Sequence, residues 1–101
     1  MPDIYFRQLN CQHGTAASFD IQTRLNQVHL LTEPYFTNTG EAGVDNKNKC
    51  FYDASAVNTV AQEYPRAAIY APNLKDAILM PVSDLMSRDM VGVEVGFIGN
   101  P

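Results

Sequence analysis

The sequence predicts an α/β domain, a mixed β-sheet with one covering helix. Two short apolar runs, residues 4–9 and 28–32, have the length and composition of strands. A polar residue closes each run, Asn10 after the first and Glu33 after the second. A helical stretch separates the runs, and a strand, helix, strand unit with a right-handed crossover makes its two strands parallel. Their carboxyl ends then lie on the same edge of one sheet, about 4.8 Å apart if the strands are neighbours.

The covering helix is predicted from apolar residues at helical spacing. Thr15 is a candidate N-cap, after a short loop in which Gly14 allows the turn. Polar and charged side chains fall on the other faces of this stretch, which makes it amphipathic and able to cover one face of the sheet. The apolar residues of the pattern are Ala17, Ile21, Leu25 and Val28.

The rest of the chain predicts further strands joined by polar loops. Residues 37–49 are polar and contain glycines, which indicates a long surface loop. Beyond this loop, prolines and a glycine separate four apolar segments, and the last segment alternates apolar with small or polar residues. One helix covers little of a mixed sheet, so we expect residues 1–101 to form the N-terminal part of a single domain. The predicted strands are residues 50–54, 67–71, 77–82 and 90–97.

Composition and charge narrow the class of protein. The chain has 101 residues, 46% of them hydrophobic and 18% charged, which suits one globular domain. Its formal net charge of −4 argues against binding a polyanion by basic patches alone. Cys11 and Cys50 form no disulfide framework or metal motif, so we expect reduced thiols. The sequence predicts no leader peptide and no membrane span, so we expect a soluble, intracellular protein, nuclear or cytoplasmic.

Asn10 and Glu33 are the residues that indicate a chemistry. Open α/β sheets bind ligands at the carboxyl edge of their strands. A carboxylate and a carboxamide held there suit a hard cation, because magnesium takes oxygen ligands and keeps several waters. We therefore expect Glu33 and Asn10 to bind Mg²⁺, with Mn²⁺ as an alternative.

Three motifs occur in a familiar order along the chain. Leu9-Asn10 is followed by a glycine-containing loop, then by Leu-Leu-Thr-Glu-Pro-Tyr at residues 30–35, and later by Arg-Ala-Ala-Ile-Tyr at residues 66–70. Together they resemble the N-terminal half of the endonuclease/exonuclease/phosphatase family. More narrowly, they are similar to the apurinic-type endonuclease domain at the front of non-LTR retrotransposon polyproteins, which continue into a reverse transcriptase. The resemblance covers nearly the whole chain from Ile4 onward.

The resemblance implies a fold, a reaction and site residues. The fold would be a partial four-layer α/β sandwich, with two mixed sheets inside, helices outside and the active site at one end. The reaction would be magnesium-dependent hydrolysis of DNA phosphodiester bonds, which nicks the retrotransposon target. A phosphatase or deadenylase branch of the same family is the alternative. By the match, Glu33 binds the divalent cation and Asn10 contacts the metal or the scissile phosphate, so both are catalytic candidates.

The chain also departs from the family's pattern. The family carries an Asp-x-Asn pair at a later strand end and a catalytic histidine in a Ser-Asp-His motif. Neither motif occurs in this sequence, in which Ser83-Asp84 is followed by Leu85. A general base contributes roughly 10²–10⁴-fold to such a reaction. We therefore expect the chain to be inactive, or very nearly so, by itself.

Two further residues are candidates for substrate binding. Tyr35 could stack on a sugar or base, and His13 could contact a phosphate from the loop beside Asn10. Each residue also has an ordinary structural role: Tyr35 as the anchor of its loop, His13 as a solvated side chain and Asn10 as a turn residue. A non-catalytic α/β interaction module is therefore the alternative from a different class, and the acidic charge and missing histidine favour it.

Overall fold

The computed structural model describes residues 4–14, 27–37, 50–71 and 77–97. These residues form two β-sheets, one of four strands and one of two strands. The strands are β1 (Tyr5–Asn10), β2 (Gln27–Thr32), β3 (Cys50–Phe51), β4 (Ala67–Tyr70), β5 (Ala77–Pro81) and β6 (Val93–Phe97). The order across the four-stranded sheet is β1-β2-β4-β3, and β5 and β6 form the other sheet. Short 3₁₀ helices lie between β3 and β4 and between β5 and β6.

The four-stranded sheet is mixed, and its only described parallel pair is the one that the sequence predicts. β1 runs parallel to β2, with Asn10 opposite Thr32. β4 is antiparallel to β2, with Ala67 opposite Thr32, and β3 is antiparallel to β4. The carboxyl ends of β1 and β2 and the amino end of β4 therefore meet at one edge of the sheet.

The predicted α/β sandwich with a covering helix is wrong. Strands account for 51% of the described residues and helical turns for 9%, and none of the described helices reaches seven residues. The 3₁₀ helices Ala54–Ala56 and Ser83–Leu85 are the helical elements there, and nothing in the described ranges is a helix long and apolar enough to cross a membrane. Most of the predicted helix, with Ala17, Ile21 and Leu25, lies outside the described residues, but Val28 belongs to β2.

A second sheet, instead of a helix, packs on one face of the mixed sheet. Val28 of β2 and Ile69 of β4 are buried together with Leu79 of β5. Val93 and Val95 of β6 pack against the same cluster. The residue pattern predicts a single mixed sheet and the resemblance implies two mixed sheets, whereas in the described structure β5 and β6 pair with each other as an antiparallel sheet. Burial of aliphatic side chains between the two sheets is the physical reason that this face needs no helix.

The alternate residues of the strands form a second buried cluster on the other face of the mixed sheet. Leu31 and Tyr70 pack there with both cysteines, which are free thiols. Burial raises the pKa of Cys11 and raises that of Cys50 to about 12. His29 is fully buried beside them, and its ring stacks on Tyr70 with 6.1 Å between centroids.

Two predicted strands are shorter in the structure because a local turn competes with each. β3 ends at Phe51, and Asp53 then accepts a hydrogen bond from the Ser55 backbone N–H, which begins a 3₁₀ helix. β6 begins only at Val93, because Ser87 and Met90 pair across a tight turn before it.

Candidate functional site

Asn10 and Glu33 lie at the same edge of the mixed sheet, as the sequence predicts. Asn10 is the last residue of β1 and pairs with Thr32, the last residue of β2. Glu33 directly follows Thr32 in the chain. The edge also receives Arg66, which immediately precedes β4 and whose carbonyl accepts the Glu33 N–H at 3.0 Å. Chain direction and register thus bring three polar residues from distant parts of the sequence to one sheet edge.

The loop after β1 folds back over Glu33. The Cys11 N–H donates to the Thr32 carbonyl and the His13 N–H to the Glu33 carbonyl, both at 2.8 Å. Gln12, His13 and Glu33 all have left-handed backbone conformations, with φ of 49°, 58° and 50°. Such conformations are uncommon outside glycine, and they concentrate at functional sites when the surrounding structure holds them. This backbone path positions the His13 ring beside the Glu33 carboxylate.

The Asn10 side chain stabilises the turn at the start of this loop. Its Oδ1 accepts the Gln12 backbone N–H at 3.0 Å, which is the bond that defines an Asx turn. Among the described residues, Asn10 is not part of the lining of the cleft into which Glu33 faces. The structure therefore gives Asn10 a turn-forming role beside the site, and its oxygen would have to leave the turn to reach a metal.

The Glu33 carboxylate is held by a guanidinium group and an imidazole ring. Its Oε1 accepts a hydrogen bond from Arg66 Nε at 2.9 Å, and its Oε2 lies 2.6 Å from His13 Nε2. The hydrogen bond from Arg66 is the main cause that lowers the pKa of Glu33, and the charges of Arg66 and His13 lower it further. The same ion pair raises the pKa of Arg66. Glu33 is therefore a carboxylate at neutral pH.

An open cleft of about 490 Å³ lies over this ion pair. Aromatic residues form part of its lining: the rings of Phe36 and Tyr64 are nearly parallel, with centroids 5.4 Å apart. Phe36 is buried, and the edge of its ring meets Tyr52 at 5.1 Å between centroids, which anchors the stack in the fold. The cleft combines charged and aromatic groups, and its lining residues are His13, Glu33, Tyr35, Phe36, Gln62, Tyr64, Arg66 and Arg88.

Arg88 brings a second guanidinium to the cleft. It lies in the tight turn between Ser87 and Met90, and its carbonyl accepts the Arg66 N–H at 2.6 Å, so the two arginine backbones are adjacent. Arg88 NH1 lies 3.5 Å from Glu63 Oε2, and Arg66 NH1 lies 3.4 Å from Asp89 Oδ1. These pairs are long and exposed, so they hold the arginines only weakly.

The donor set fits magnesium only in one mode. Within the described ranges there is no group of three or more His, Cys, Asp and Glu side chains that could hold a metal ion. Glu33 is a single carboxylate, but Mg²⁺ is commonly held by one or two carboxylates together with substrate phosphates and waters. Glu33 suits that mode if the cation displaces His13 and Arg66, because both of its oxygens are already engaged.

Three of the four residues predicted from sequence line the cleft: Glu33, His13 and Tyr35. The two arginines were not among the predicted site residues. Arg66 carries a topological signal, because a residue that enters a strand antiparallel to β2 arrives at the carboxyl edge of β2. Arg88 carries no such signal, since its approach depends on how a distant turn packs beside Arg66.

Comparisons with known proteins leave the family of this chain open. No family model, curated protein or solved structure matches it. The residues that line the cleft are therefore the basis for a proposed function.

Proposed function

We propose that this chain contributes the front half of a magnesium-dependent endonuclease site that hydrolyses DNA phosphodiester bonds. In this proposal Glu33 is a metal ligand, and the cleft with Tyr35, Arg66 and Arg88 receives the DNA backbone. The intact site would nick target DNA for a retrotransposon whose polyprotein continues into a reverse transcriptase.

The observation that carries the proposal is the position of Glu33. Parallel pairing of β1 and β2 puts this carboxylate at the carboxyl edge of the sheet, and the carboxylate opens onto a cleft that two arginines share. Guanidinium groups are suited to phosphate, and the half-buried Tyr35 ring lines the cleft, where it can stack on a base or sugar. A bound Mg²⁺ would neutralise charge that develops on the phosphate oxygens. The residues of this chain would bind and orient the phosphodiester.

Magnesium-dependent thermal stabilisation tests the proposal. A ligand that binds only the folded state raises the melting temperature, so Mg²⁺ should raise that of the wild type above its value in NaCl of equal ionic strength. Glu33→Gln should abolish this increment. Glu94→Gln, which removes a carboxylate from an exposed position on β6, should preserve it. An equal response of the wild type and Glu33→Gln to Mg²⁺ would refute Glu33 as a metal ligand.

A non-catalytic interaction module is the second candidate. Two observations favour it: Asn10 and Glu33 already have partners within the chain, and Tyr5 and Phe6 on β1 are 59% and 56% exposed. β1 ends the described sheet, and a partner strand or apolar surface could cover these two rings. In the melting experiment, this candidate predicts no response to Mg²⁺ that depends on Glu33.

A further inference from the structure

Arg66 and Arg88 both line the cleft over Glu33. Their side chains are 54% and 50% exposed, and a hydrogen bond between their main chains keeps the two backbones adjacent. A guanidinium group at an open cleft suits a phosphodiester because it can donate two parallel hydrogen bonds to the phosphate oxygens.

Both arginines are nevertheless engaged by carboxylates. Arg66 pairs with Glu33 and Asp89, and Arg88 pairs with Glu63. Three carboxylates therefore face two guanidinium groups, which leaves this cluster with a formal charge of −1 when His13 is neutral. A phosphodiester that approaches it meets net negative charge, and each guanidinium group already has a carboxylate partner.

We infer that Arg66 and Arg88 form a phosphate-binding subsite for DNA that opens when a divalent cation takes the Glu33 carboxylate from Arg66. This inference rests on the proposed function and names how its site is controlled. The cation changes the formal charge of the cluster from −1 to +1 and leaves Arg66 without its shortest ion pair. Arg66 then turns to the phosphate beside Arg88. The phosphate in turn completes the coordination shell of a cation that has only one protein carboxylate.

Cation and DNA should therefore bind cooperatively. Coupling between two ligands is reciprocal, so Mg²⁺ should strengthen DNA binding by the factor by which DNA strengthens Mg²⁺ binding. This direction is diagnostic, because added cations ordinarily weaken protein–DNA binding through competition for the phosphates. Anisotropy of a short fluorescein-labelled DNA duplex, titrated with the chain at several Mg²⁺ concentrations and constant ionic strength, measures the coupling. We expect it to be about 5-fold or more.

Two matched variants separate the roles of the arginines. Arg66→Gln removes the competitor for Glu33, so this variant should respond to Mg²⁺ at a lower concentration in the melting experiment and yet bind the duplex less tightly. Arg88→Gln removes the same charge from the same cleft but leaves the Glu33–Arg66 pair intact. It should bind the duplex less tightly, with the midpoint of its Mg²⁺ response unchanged. Circular dichroism checks that both variants are folded.

The outcomes distinguish this inference from the proposed function. If Mg²⁺ stabilises the chain through Glu33 but Arg66→Gln and Arg88→Gln have the same Mg²⁺ midpoint, the exchange of Arg66 is refuted and the metal ligand stands. If Mg²⁺ weakens binding of the duplex to the wild type, the phosphate-binding subsite is refuted, and Glu33 as a metal ligand still stands. If Glu33→Gln leaves the Mg²⁺ response unchanged, both proposals fail together.

Discussion

Glu33 shows how one residue joins backbone geometry to charge. Glu33 follows β2 and has a left-handed backbone conformation, which ends the extended strand geometry. Its carboxylate contacts His13 and Arg66. A non-glycine residue in this region costs of order 1 kcal/mol and persists where other contacts hold it. The hydrogen bond that its N–H donates to the Arg66 carbonyl and the two side-chain contacts are such constraints.

The same contacts predict how stability depends on pH. The pKa of Glu33 is lower in the folded than in the unfolded chain, so its contribution is present above the unfolded pKa and is lost as pH falls through the folded pKa. Between neutral pH and about pH 3, the wild type should therefore lose more unfolding free energy than Glu33→Gln. Urea unfolding at the two pH values measures this, with Glu94→Gln as the matched loss of a carboxylate. Equal losses in all three proteins would contradict the prediction.

At the scale of elements, the pairing of β5 with β6 decides what covers the mixed sheet. β5 alternates sharply between its two faces: Leu79 is 8% exposed, in the cluster with Val28 and Ile69, while the adjacent Ile78 is 51% exposed. One strand therefore supplies both a buried test position and its control.

Leu79→Ala should cost about 2–3 kcal/mol of unfolding free energy, because it removes buried methyl groups and leaves a cavity between the sheets. Ile78→Ala should cost less than about 1 kcal/mol, because its side chain is half exposed. Urea unfolding followed by far-ultraviolet circular dichroism measures both values. If Ile78→Ala costs as much as Leu79→Ala, the assignment of the buried face of β5 is wrong.

The strands themselves were predictable, and the layers were not. All six observed strands fall within or beside segments that apolar composition, alternation and prolines marked. Their ends shifted at Phe51 and Val93, where a side-chain cap and a tight turn compete with strand pairing. The sequence also supports a parallel β1–β2 pair, which the structure confirms. The covering layer was mispredicted, because a local pattern marks which residues are apolar but not which distant element buries them.

At the scale of the whole molecule, the described cleft is lined by charged and aromatic side chains. The carboxylate in its lining, Glu33, is engaged by Arg66 and His13, and no cluster of three metal-binding side chains occurs among the described residues. The sequence carries no Asp-x-Asn or Ser-Asp-His motif. His13 Nε2 is engaged by Glu33, and the histidine of a Ser-Asp-His motif does not occur in this sequence.

The purified chain should therefore fail to nick supercoiled plasmid in the presence of Mg²⁺. Loss of a general base lowers the rate of such a reaction by roughly 10²–10⁴-fold. Conversion of supercoiled to relaxed plasmid on an agarose gel measures nicking, and EDTA and Glu33→Gln serve as controls. Nicking by the wild type that EDTA and Glu33→Gln both abolish would show that the chain carries a complete site.

The order of apolar and polar residues alone determined the strands, the parallel pair and the meeting of Asn10 and Glu33 at one sheet edge, because strand direction follows from connectivity and side-chain alternation is local. Only the tertiary structure decided that Arg66 and Arg88 join Glu33, that Asn10 is committed to a turn, and that a second sheet covers the first. These outcomes depend on contacts between residues far apart in the chain, and no local pattern encodes which pairs will meet.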